Sequence, residues 1–224
     1  MAAKNPTHPA FKNLLLVAIV ALPIAIGATH SIHAAAPAQN PALPAPGTYK
    51  VDSDHSFAYF GARHHVVGLV RGRFDKVSGT ITAVQDPATC AVDISIDTSS
   101  ISTQNTERDE DLRSPEYFDV KKFPVMTYQG RGIRKASGNS WVMDGSLTLH
   151  GVTKVVPLTF TFNGLFPNMP AKAPARAAFH GTAGVKRAEF NMGARDNLDE
   201  LGSSQAPDVE IQIDVEANAT GPAQ

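Results

Sequence analysis

The sequence contains a single cysteine, Cys90, among its 224 residues. One thiol cannot form an intramolecular disulfide, so no disulfide framework supports this fold, whichever compartment the protein works in. The chain must therefore depend on an apolar core, for which its length is sufficient. Cys90 continues the apolar alternation of Val92, Ile94 and Ile96, which predicts a small buried residue rather than a reactive thiol.

An excess of charge of one sign is also lacking. The chain has 20 Lys and Arg against 21 Asp and Glu, a formal net charge of −1. Proteins that bind nucleic acids attract phosphate with a marked excess of basic residues. The charge balance therefore argues against a nucleic-acid partner.

Catalytic and metal-binding motifs are missing as well. There is no G-x-S-x-G turn for a nucleophilic serine and no G-x-G-x-x-G or Walker loop. His64 and His65 are adjacent, so in a strand their side chains point to opposite faces and do not chelate one ion easily. The acidic residues at 107–111 are more typical of a solvated helix start than of a catalytic carboxylate pair. We predict no catalytic residue, no metal and no cofactor.

The N-terminus has the features of an export sequence. Lys4 and Lys12 precede an uncharged run at residues 14–26, and small residues follow through Ala36. A basic start, a short apolar stretch and an A-x-A-like end are the parts of a secretory signal peptide. We predict a signal peptide over residues 1–36. An uncleaved anchor is the alternative, although the run is shorter than the roughly 20 residues that span a bilayer.

Three further regions follow the predicted signal peptide. Residues 37–47 are rich in Pro and Ala and nearly uncharged, which is typical of a tether without a core of its own. The predicted domain occupies residues 48–217, and residues 218–224 form a C-terminal tail.

From Thr48 onward, apolar and polar residues alternate with a period of two, segment after segment. The alternation is clear around residues 58–64, 92–96, 141–149, 156–162 and 209–215. Repeated alternation is typical of antiparallel strands that bury one face. We predict an all-β fold, an antiparallel eight-stranded barrel, because closure removes exposed edges. Phe74 and Val77 differ in phase, which predicts a bulge or bend between Asp75 and Gly79.

One segment, residues 105–124, has a helical pattern. Asn105 is a plausible N-cap, because acidic residues follow it in the first turns. Ser114-Pro115-Glu116 predicts a second helix start, with Ser as the cap and Pro at the first helical position. We expect a short helical insertion across one end of the barrel.

The faces predicted to point inward carry large apolar side chains. They are Phe60, Phe74, Met126, Tyr128, Trp141, Met143, Phe160, Phe162 and Phe179. An eight-stranded barrel can be filled by its own side chains or can hold an apolar ligand. Ala62, Gly145 and Ala183 on the same faces favour unfilled volume. The pattern leaves both alternatives open.

A series of motifs gives the chain a family resemblance. The motifs are YKVDSDHS at residues 49–56, FGARH at 60–64, VRGRF at 70–74, TQNTERDEDLRSPEYFD at 103–119, FPVMTY at 123–128, DGSLTLHGVTK at 144–154 and KRAEFNMG at 186–193. In this order and spacing the sequence resembles the YceI-like family, periplasmic polyisoprenoid-binding proteins with a lipocalin-like barrel. Asp111 stands where the family often has histidine, and Cys90 where a small polar residue is common.

The resemblance implies a function. The protein would bind and carry, or sequester, a long-chain isoprenoid such as a quinone or polyprenyl lipid in an apolar cavity in the periplasm, with transient membrane contact. Arg108 and Arg113 would hold a pyrophosphate head group, with Asp109 orienting the arginine side chain. The predicted ligand-binding residues are His55, Ser56, Phe60, His64, Phe74, Arg108, Asp109, Arg113, Met126, Tyr128, Trp141, Phe160 and Phe162.

Alternatives remain open at this point. In the first alternative, Arg108 and Asp109 form a local salt bridge that fixes the helical segment and do not bind a ligand. An enzyme that uses His64 and a cavity carboxylate as an acid–base pair is a second function. A packed adaptor barrel that binds protein partners and no lipid is a third. Monomer and dimer are equally compatible with the sequence.

Overall fold

The computed structural model describes residues 43–64, 67–166, 174–193 and 205–221, and in the last range it describes the side chains of residues 208–220. The predicted signal peptide at residues 1–36, the first part of the tether and His65 lie outside the described residues. The statements below concern the described ranges.

These ranges contain twelve strands and one α-helix. The strands are β1 (Gly47–Val51), β2 (Phe57–His64), β3 (Gly68–Phe74), β4 (Val77–Ala83), β5 (Ala91–Asp97), β6 (Ile101–Ser102), β7 (Val125–Arg131), β8 (Arg134–Lys135), β9 (Ser140–Leu149), β10 (Val152–Phe166), β11 (Arg176–Lys186) and β12 (Gln205–Gly221). The helix α1 (Thr106–Arg113) lies between β6 and β7, and short 3-10 turns occupy Ser53–His55, Pro87–Thr89, Thr98–Ser100 and Arg187–Phe190. Within these ranges, no helix has the length and apolar character that crossing a bilayer requires.

Eight antiparallel strands close the barrel. The order of neighbours is β1-β4-β5-β7-β9-β10-β11-β12, and β12 returns to pair with β1. Inward side chains of these strands form the main core cluster, which includes Val77, Met126 and Val215. The predicted antiparallel eight-stranded barrel is confirmed.

Strand β12 has two partners on one of its edges. Its first part, from Gln205 to Asp214, pairs with β2, whereas residues from Ala217 to Gly221 pair with β1. β2 in turn carries β3, and the end of β3 pairs with β6. The sheet therefore forks at β12. The strand also continues four residues past the point at which the predicted domain ended.

The predicted bend lies between β3 and β4. β3 ends at Phe74 and β4 begins at Val77, with Asp75 and Lys76 between them. Phe74 and Val77 are both buried, although they differ in phase. The phase slip in the sequence therefore marks the place where the chain leaves one branch of the sheet and enters the other.

The helical insertion is shorter than its sequence pattern. Asn105 is the N-cap of α1, and its side-chain oxygen accepts the backbone N–H of Arg108 at 2.9 Å. The predicted second start at Ser114-Pro115-Glu116 is wrong, because the chain turns there instead. The N–H groups of Phe118 and Val120 bond back to carbonyls of the last helical turn, and Tyr117 is buried. These contacts hold the segment as a series of turns packed against the barrel.

Candidate ligand cavity

The barrel encloses a cavity of about 370 Å³. Its walls are almost wholly apolar and come from the inward positions of both branches of the sheet, such as Ala58, Ile94, Leu147, Leu158 and Ile213. Ligand pockets for small molecules in proteins typically measure about 300–1,000 Å³ and are mostly apolar. The barrel is therefore not filled by its own side chains.

The two ends of the cavity differ in chemistry. One end, here called the linker end, is formed by Leu43, Pro44, Cys90 and Ile133, which lie where β1 and β5 begin and β7 has ended. Leu43 packs against the small cluster of Cys90, Ile133, Trp141 and Met143. The predicted burial of Cys90 is confirmed, since its exposure is 6%. The last residues of the predicted tether are thus part of the apolar wall.

The opposite end, here called the helix end, carries the charges. It is lined by His64 at the end of β2, Arg108 and Asp111 on α1, and Arg187 directly after β11. The turn after α1 is joined to the segment after β11 by a hydrogen bond from the Gly193 N–H to the Glu116 carbonyl, 2.9 Å long. Among the residues that line this end, two arginines outnumber one aspartate.

A hydrogen-bond network fixes the side chain of Arg108. The Thr103 hydroxyl donates to Asp109 Oδ1 at 2.6 Å and accepts from Arg108 Nε at 2.8 Å, while Arg108 Nη2 donates to the Thr103 carbonyl at 3.0 Å. Asp109 Oδ1 also accepts the Thr103 N–H at 2.7 Å, and Thr103 and Asp109 are both buried. Asp109 thus holds Arg108 through Thr103 rather than by a direct salt bridge. Within the described ranges, the hydrogen bonds of the Arg108 guanidinium are made by Nε and Nη2.

Arg187 was not among the predicted site residues. Its exposure is 6%, although it is a cation, and it lines the cavity. Lys and Arg are rarely buried so completely without a specific role. The sequence did contain an indication, because Arg187 continues the inward phase of Ala183 and Val185 just past the end of β11.

Seven of the predicted ligand-binding residues line the cavity: Phe60, His64, Phe74, Arg108, Met126, Tyr128 and Phe160. Tyr128 is held by its hydroxyl, which lies 3.0 Å from the carbonyl oxygens of Met143 and Val156. Burial raises the pKa of Tyr128 to about 12, despite hydrogen bonds from backbone N–H groups that act the other way. The group is therefore a neutral phenol at physiological pH.

The other six do not line the cavity. Asp109 acts through Thr103, as described above, and Arg113 bonds the carbonyls of Ser99 and Ile101. Trp141 belongs to the cluster at the linker end, and the ring of Phe162 packs against Phe179 with centroids 5.4 Å apart. These two positions share the inward phase, but neighbouring side chains cover them. The last two, His55 and Ser56, lie at the fork.

Ser56 is fully buried at the fork of β12. Its hydroxyl bonds both the N–H and the carbonyl of Glu216 at 3.1 Å, between the residues of β12 that pair with β2 and those that pair with β1. It therefore satisfies backbone groups at the change of partner. His55 is exposed in the preceding turn, with Nδ1 3.1 Å from Asp52 Oδ2. Both were predicted as ligand-binding residues, and the structure places them at the fork of β12, apart from the lining of the cavity.

Asp52, His55 and Glu216 form the one cluster in the described residues with metal-like spacing, their ligand atoms lying within 4.8 Å of one another. Arg176 contacts both carboxylates, with Nη2 3.4 Å from Asp52 and Nη1 3.0 Å from Glu216. Burial works to raise the pKa of Asp52, but hydrogen bonds from His55 and the Asp54 N–H lower it overall. The guanidinium already supplies the positive charge, so we assign no metal site here.

The fold and the cavity define the protein as a lipocalin-like antiparallel barrel with an apolar interior that is charged at one end. Residues 49–217 match the family described as the YceI-like domain. The chain belongs to the YceI-like family.

Relatives in bacteria are similar over most of their length. Protein YceI of Salmonella newport is 33% identical over 171 residues, which cover 75% of this chain and 85% of the relative. A UPF0312 protein of Pseudomonas paraeruginosa has the same identity and coverage.

Solved structures show the same fold. BcnA of Burkholderia cenocepacia has a TM-score of 0.64 at 24% identity and covers 75% of this chain and 99% of its own. A polyisoprenoid-binding domain of Saccharophagus degradans, implicated in plant cell wall breakdown, has a TM-score of 0.56 at 20% identity, with coverages of 76% and 98%. The YceI protein of Campylobacter jejuni is 28% identical with a TM-score of 0.57, covering 67% and 85%.

Proposed function

We propose that this protein binds a long-chain amphiphile of the isoprenoid type inside its barrel and carries or sequesters it. One observation carries this proposal: an apolar cavity whose charged lining residues, Arg108, Asp111 and Arg187, are confined to the helix end. Burying each methylene contributes about 0.8 kcal/mol, so an apolar wall is enough to hold a long chain. The structural neighbour described as a polyisoprenoid-binding domain supports the same ligand class.

The polarity of the cavity favours a head group that is anionic. Arginine holds phosphate and carboxylate groups with charge-assisted hydrogen bonds, which are about twice as strong as neutral ones. Arg108 lines the cavity with Nε and Nη2 already bonded to Thr103, and buried Arg187 adds a second positive charge at the same end. We therefore expect a phosphate or pyrophosphate head to be preferred over an alcohol or a quinone on the same chain.

A matched pair of ligands tests the head group. The purified protein is examined by native mass spectrometry with a polyprenyl phosphate and a polyprenol of equal length. We expect the phosphate to bind at least tenfold more tightly, and Arg108→Gln to remove about a tenfold advantage without changing the affinity for the alcohol. Arg131→Gln, an exposed arginine at the end of β7, is the control. Equal affinities for both ligands would rule out the anionic head, and no uptake of either would rule out the carrier.

The apolar wall is tested separately. Phe160 lines the cavity, whereas its neighbour Thr159 on β10 points outward and is exposed. A carboxylate placed in an apolar tunnel costs several kcal/mol unless it is paired. Phe160→Asp should abolish uptake of both ligands while Thr159→Asp leaves it intact, provided that circular dichroism shows both variants folded. Normal uptake by a folded Phe160→Asp protein would show that the chain binds elsewhere.

Binding is better supported than catalysis. His64 and Asp111 both line the helix end, so an acid–base pair has its residue types in place, but the remaining lining is apolar. The family and its polyisoprenoid-binding neighbour suggest a binding protein. His64→Ala should leave uptake of the lipid within about threefold of the unmodified protein. Recovery of a chemically altered ligand from the native protein, but not from this variant, would favour an enzyme instead.

The proposed place of action is the periplasm. The support is the predicted signal peptide at residues 1–36, with its basic start, apolar run and small-residue end. Fractionation of a Gram-negative host, together with N-terminal sequencing, tests this. A mature protein beginning near residue 37 in the periplasmic fraction is expected, and a full-length protein in the cytosol would contradict it.

A further inference from the structure

We propose that the outer face of the β2–β3 hairpin, together with Val67, docks the protein reversibly on an anionic lipid bilayer. The docking surface consists of Arg63, Val67, Leu69 and Arg71 and is called the hairpin patch. This inference goes beyond the proposed function and does not depend on it, because the surface is defined by exposed side chains outside the cavity.

The hairpin patch exposes apolar side chains next to arginines. Val67 is 88% exposed, the largest value among the large apolar residues that the structure describes, and Leu69 is 42% exposed. Leu69 pairs with Arg63 across the hairpin and lies over Gly61 on the outer face. Apolar side chains exposed in this way can enter the boundary between head groups and acyl chains without any change in the barrel.

Two arginines flank these apolar side chains. Arg63 and Arg71 are exposed, and neither forms an ion pair with the described residues. Arg73, next on the same face, is instead held by Asp75 at 2.6 Å and by the ring of Phe57 at 5.0 Å. Asp208 and Glu210 on β12 are the acidic neighbours of this face, and Lys186 on β11 pairs with Asp208. The described charges of the face, Arg63, Arg71 and Lys186 against these two carboxylates, sum to +1.

The positive charge of this face favours an anionic membrane as its binding partner. Near an anionic membrane each Lys or Arg contributes about 1 kcal/mol of attraction, and a second copy of the same cationic patch would be repelled. An exposed valine and a half-exposed leucine give only weak anchoring, which permits release. The combination is suited to transient contact with a bilayer that contains anionic lipid.

The inner face of the same hairpin lines the cavity. Ala62, His64 and Val70 alternate with the residues of the patch and face the cavity at the helix end. A protein docked through the patch would bring that end of the cavity to the head-group layer. The docking surface and the charged end of the cavity are thus two faces of one hairpin.

A local fluorescence probe tests the contact. An environment-sensitive dye is attached to Val67→Cys in a Cys90→Ser background of the full chain, and the control dye is at Leu165→Cys. Leu165 is a good control because it is 39% exposed near the far end of β10. The dye reports only its own position, so vesicle binding by the apolar run at residues 14–26 does not produce the signal.

We expect a blue shift at residue 67 with phosphatidylglycerol/phosphatidylethanolamine vesicles, and none with phosphatidylcholine or at residue 165. High salt should reverse the shift, because dissolved ions screen the attraction between the exposed arginines and the anionic lipid. Arg63→Gln and Arg71→Gln should each lower the apparent vesicle affinity about fivefold, and Leu69→Ser should lower it several-fold. Arg131→Gln and Leu165→Ser are the matched controls and should have no effect.

Unchanged emission at residue 67, an equal shift at residue 165, or an affinity indifferent to both arginine substitutions would overturn the proposal. Formation of a dimer or of a defined protein complex through the patch, without vesicle binding, would also overturn it. Lipid uptake from detergent micelles is measured for Arg63→Gln, Arg71→Gln and Leu69→Ser in the unlabelled protein that retains Cys90. It should be unchanged, so that failure of docking and failure of ligand binding are seen separately.

Discussion

The phenol ring of Tyr128 on β7 occupies the space in which a side chain of Gly145 on β9 would lie. A Cβ at Gly145 would collide with the ring and hydroxyl of Tyr128. The expectation that Gly145 leaves unfilled volume is therefore wrong. The glycine is needed because a large neighbour crosses the strand, and Gly130 gives space to Met143 in the same way. These two inward glycines make room for bulky side chains in the wall of the barrel.

Gly145→Ala should destabilise the protein by about 2 kcal/mol, because an added methyl group forces a side chain out of a packed position. The control is Gly184→Ala on β11, where a Cβ would meet nothing within 4 Å. That change should be neutral or slightly stabilising. Urea unfolding of both variants measures the difference, and equal free energies of unfolding would contradict the packing explanation.

Stability should fall at alkaline pH through Tyr128. Its folded pKa of about 12 exceeds the value of about 10 expected in the unfolded chain, so folding favours the protonated phenol. The contribution, about 2 kcal/mol, is complete below pH 10 and is lost as the pH rises from about 10 to about 12. Tyr128→Phe should reduce this loss in urea titrations across that range. Burial also raises the pKa of Tyr49, so some pH dependence should remain.

Thr103 should act as a positioning residue for Arg108. Thr103→Val removes the hydroxyl between Asp109 and Arg108, so affinity for a polyprenyl phosphate should fall several-fold while that for the polyprenol is retained. Thr103→Ser keeps the hydroxyl and should restore the preference for phosphate. Competition between the two ligands measures the ratio directly. Parallel loss of both affinities in Thr103→Val would indicate a purely structural role.

The hairpin between β9 and β10 should be sensitive at Gly151. His150 and Gly151 have φ values of 50° and 76°, and a Cβ at Gly151 would strike the ring of Phe123. Gly151→Ala should cost about 2 kcal/mol from backbone strain and collision together. Gly138→Ala, with φ of 56° and open space around it, carries the strain alone. Thermal unfolding should show the larger loss for Gly151→Ala, and equal losses would remove the contact with Phe123 from the explanation.

The wall of the barrel was predictable because strand alternation is a local property of the sequence. Phe60 and His64 follow a period of two, and the cap at Asn105 acts within one helical turn. The fork of β12 was not predictable, because it depends on which distant strand meets each half. Ser56 satisfies the backbone of Glu216, 160 residues away, and no local pattern indicates that partner.

The ends of the cavity were predicted less well than its wall for a similar reason. Leu43 belongs to a Pro/Ala-rich stretch whose composition predicts a tether, yet it packs on the core through contacts with Cys90 and Ile133. Arg187 was missed because burial of a cation is unusual, although its position in the strand alternation places it on the inward face. The predicted ligand-binding residues included Arg108, which lines the cavity, as well as Asp109 and Arg113, which do not line it and instead bond neighbouring segments.

The pairing of β1 with β12 joins the first and last strands of the barrel, with Thr48 opposite Gly221. Contacts this distant in sequence form slowly, because the entropy of closing a long loop is lost before the contacts stabilise the chain. The barrel therefore cannot close on a ribosome that still holds the last strand. A circular permutant that joins residue 221 to residue 47 through a short loop would make β12 and β1 a hairpin. It should fold faster than the unmodified protein. Its folded state should have the same cavity.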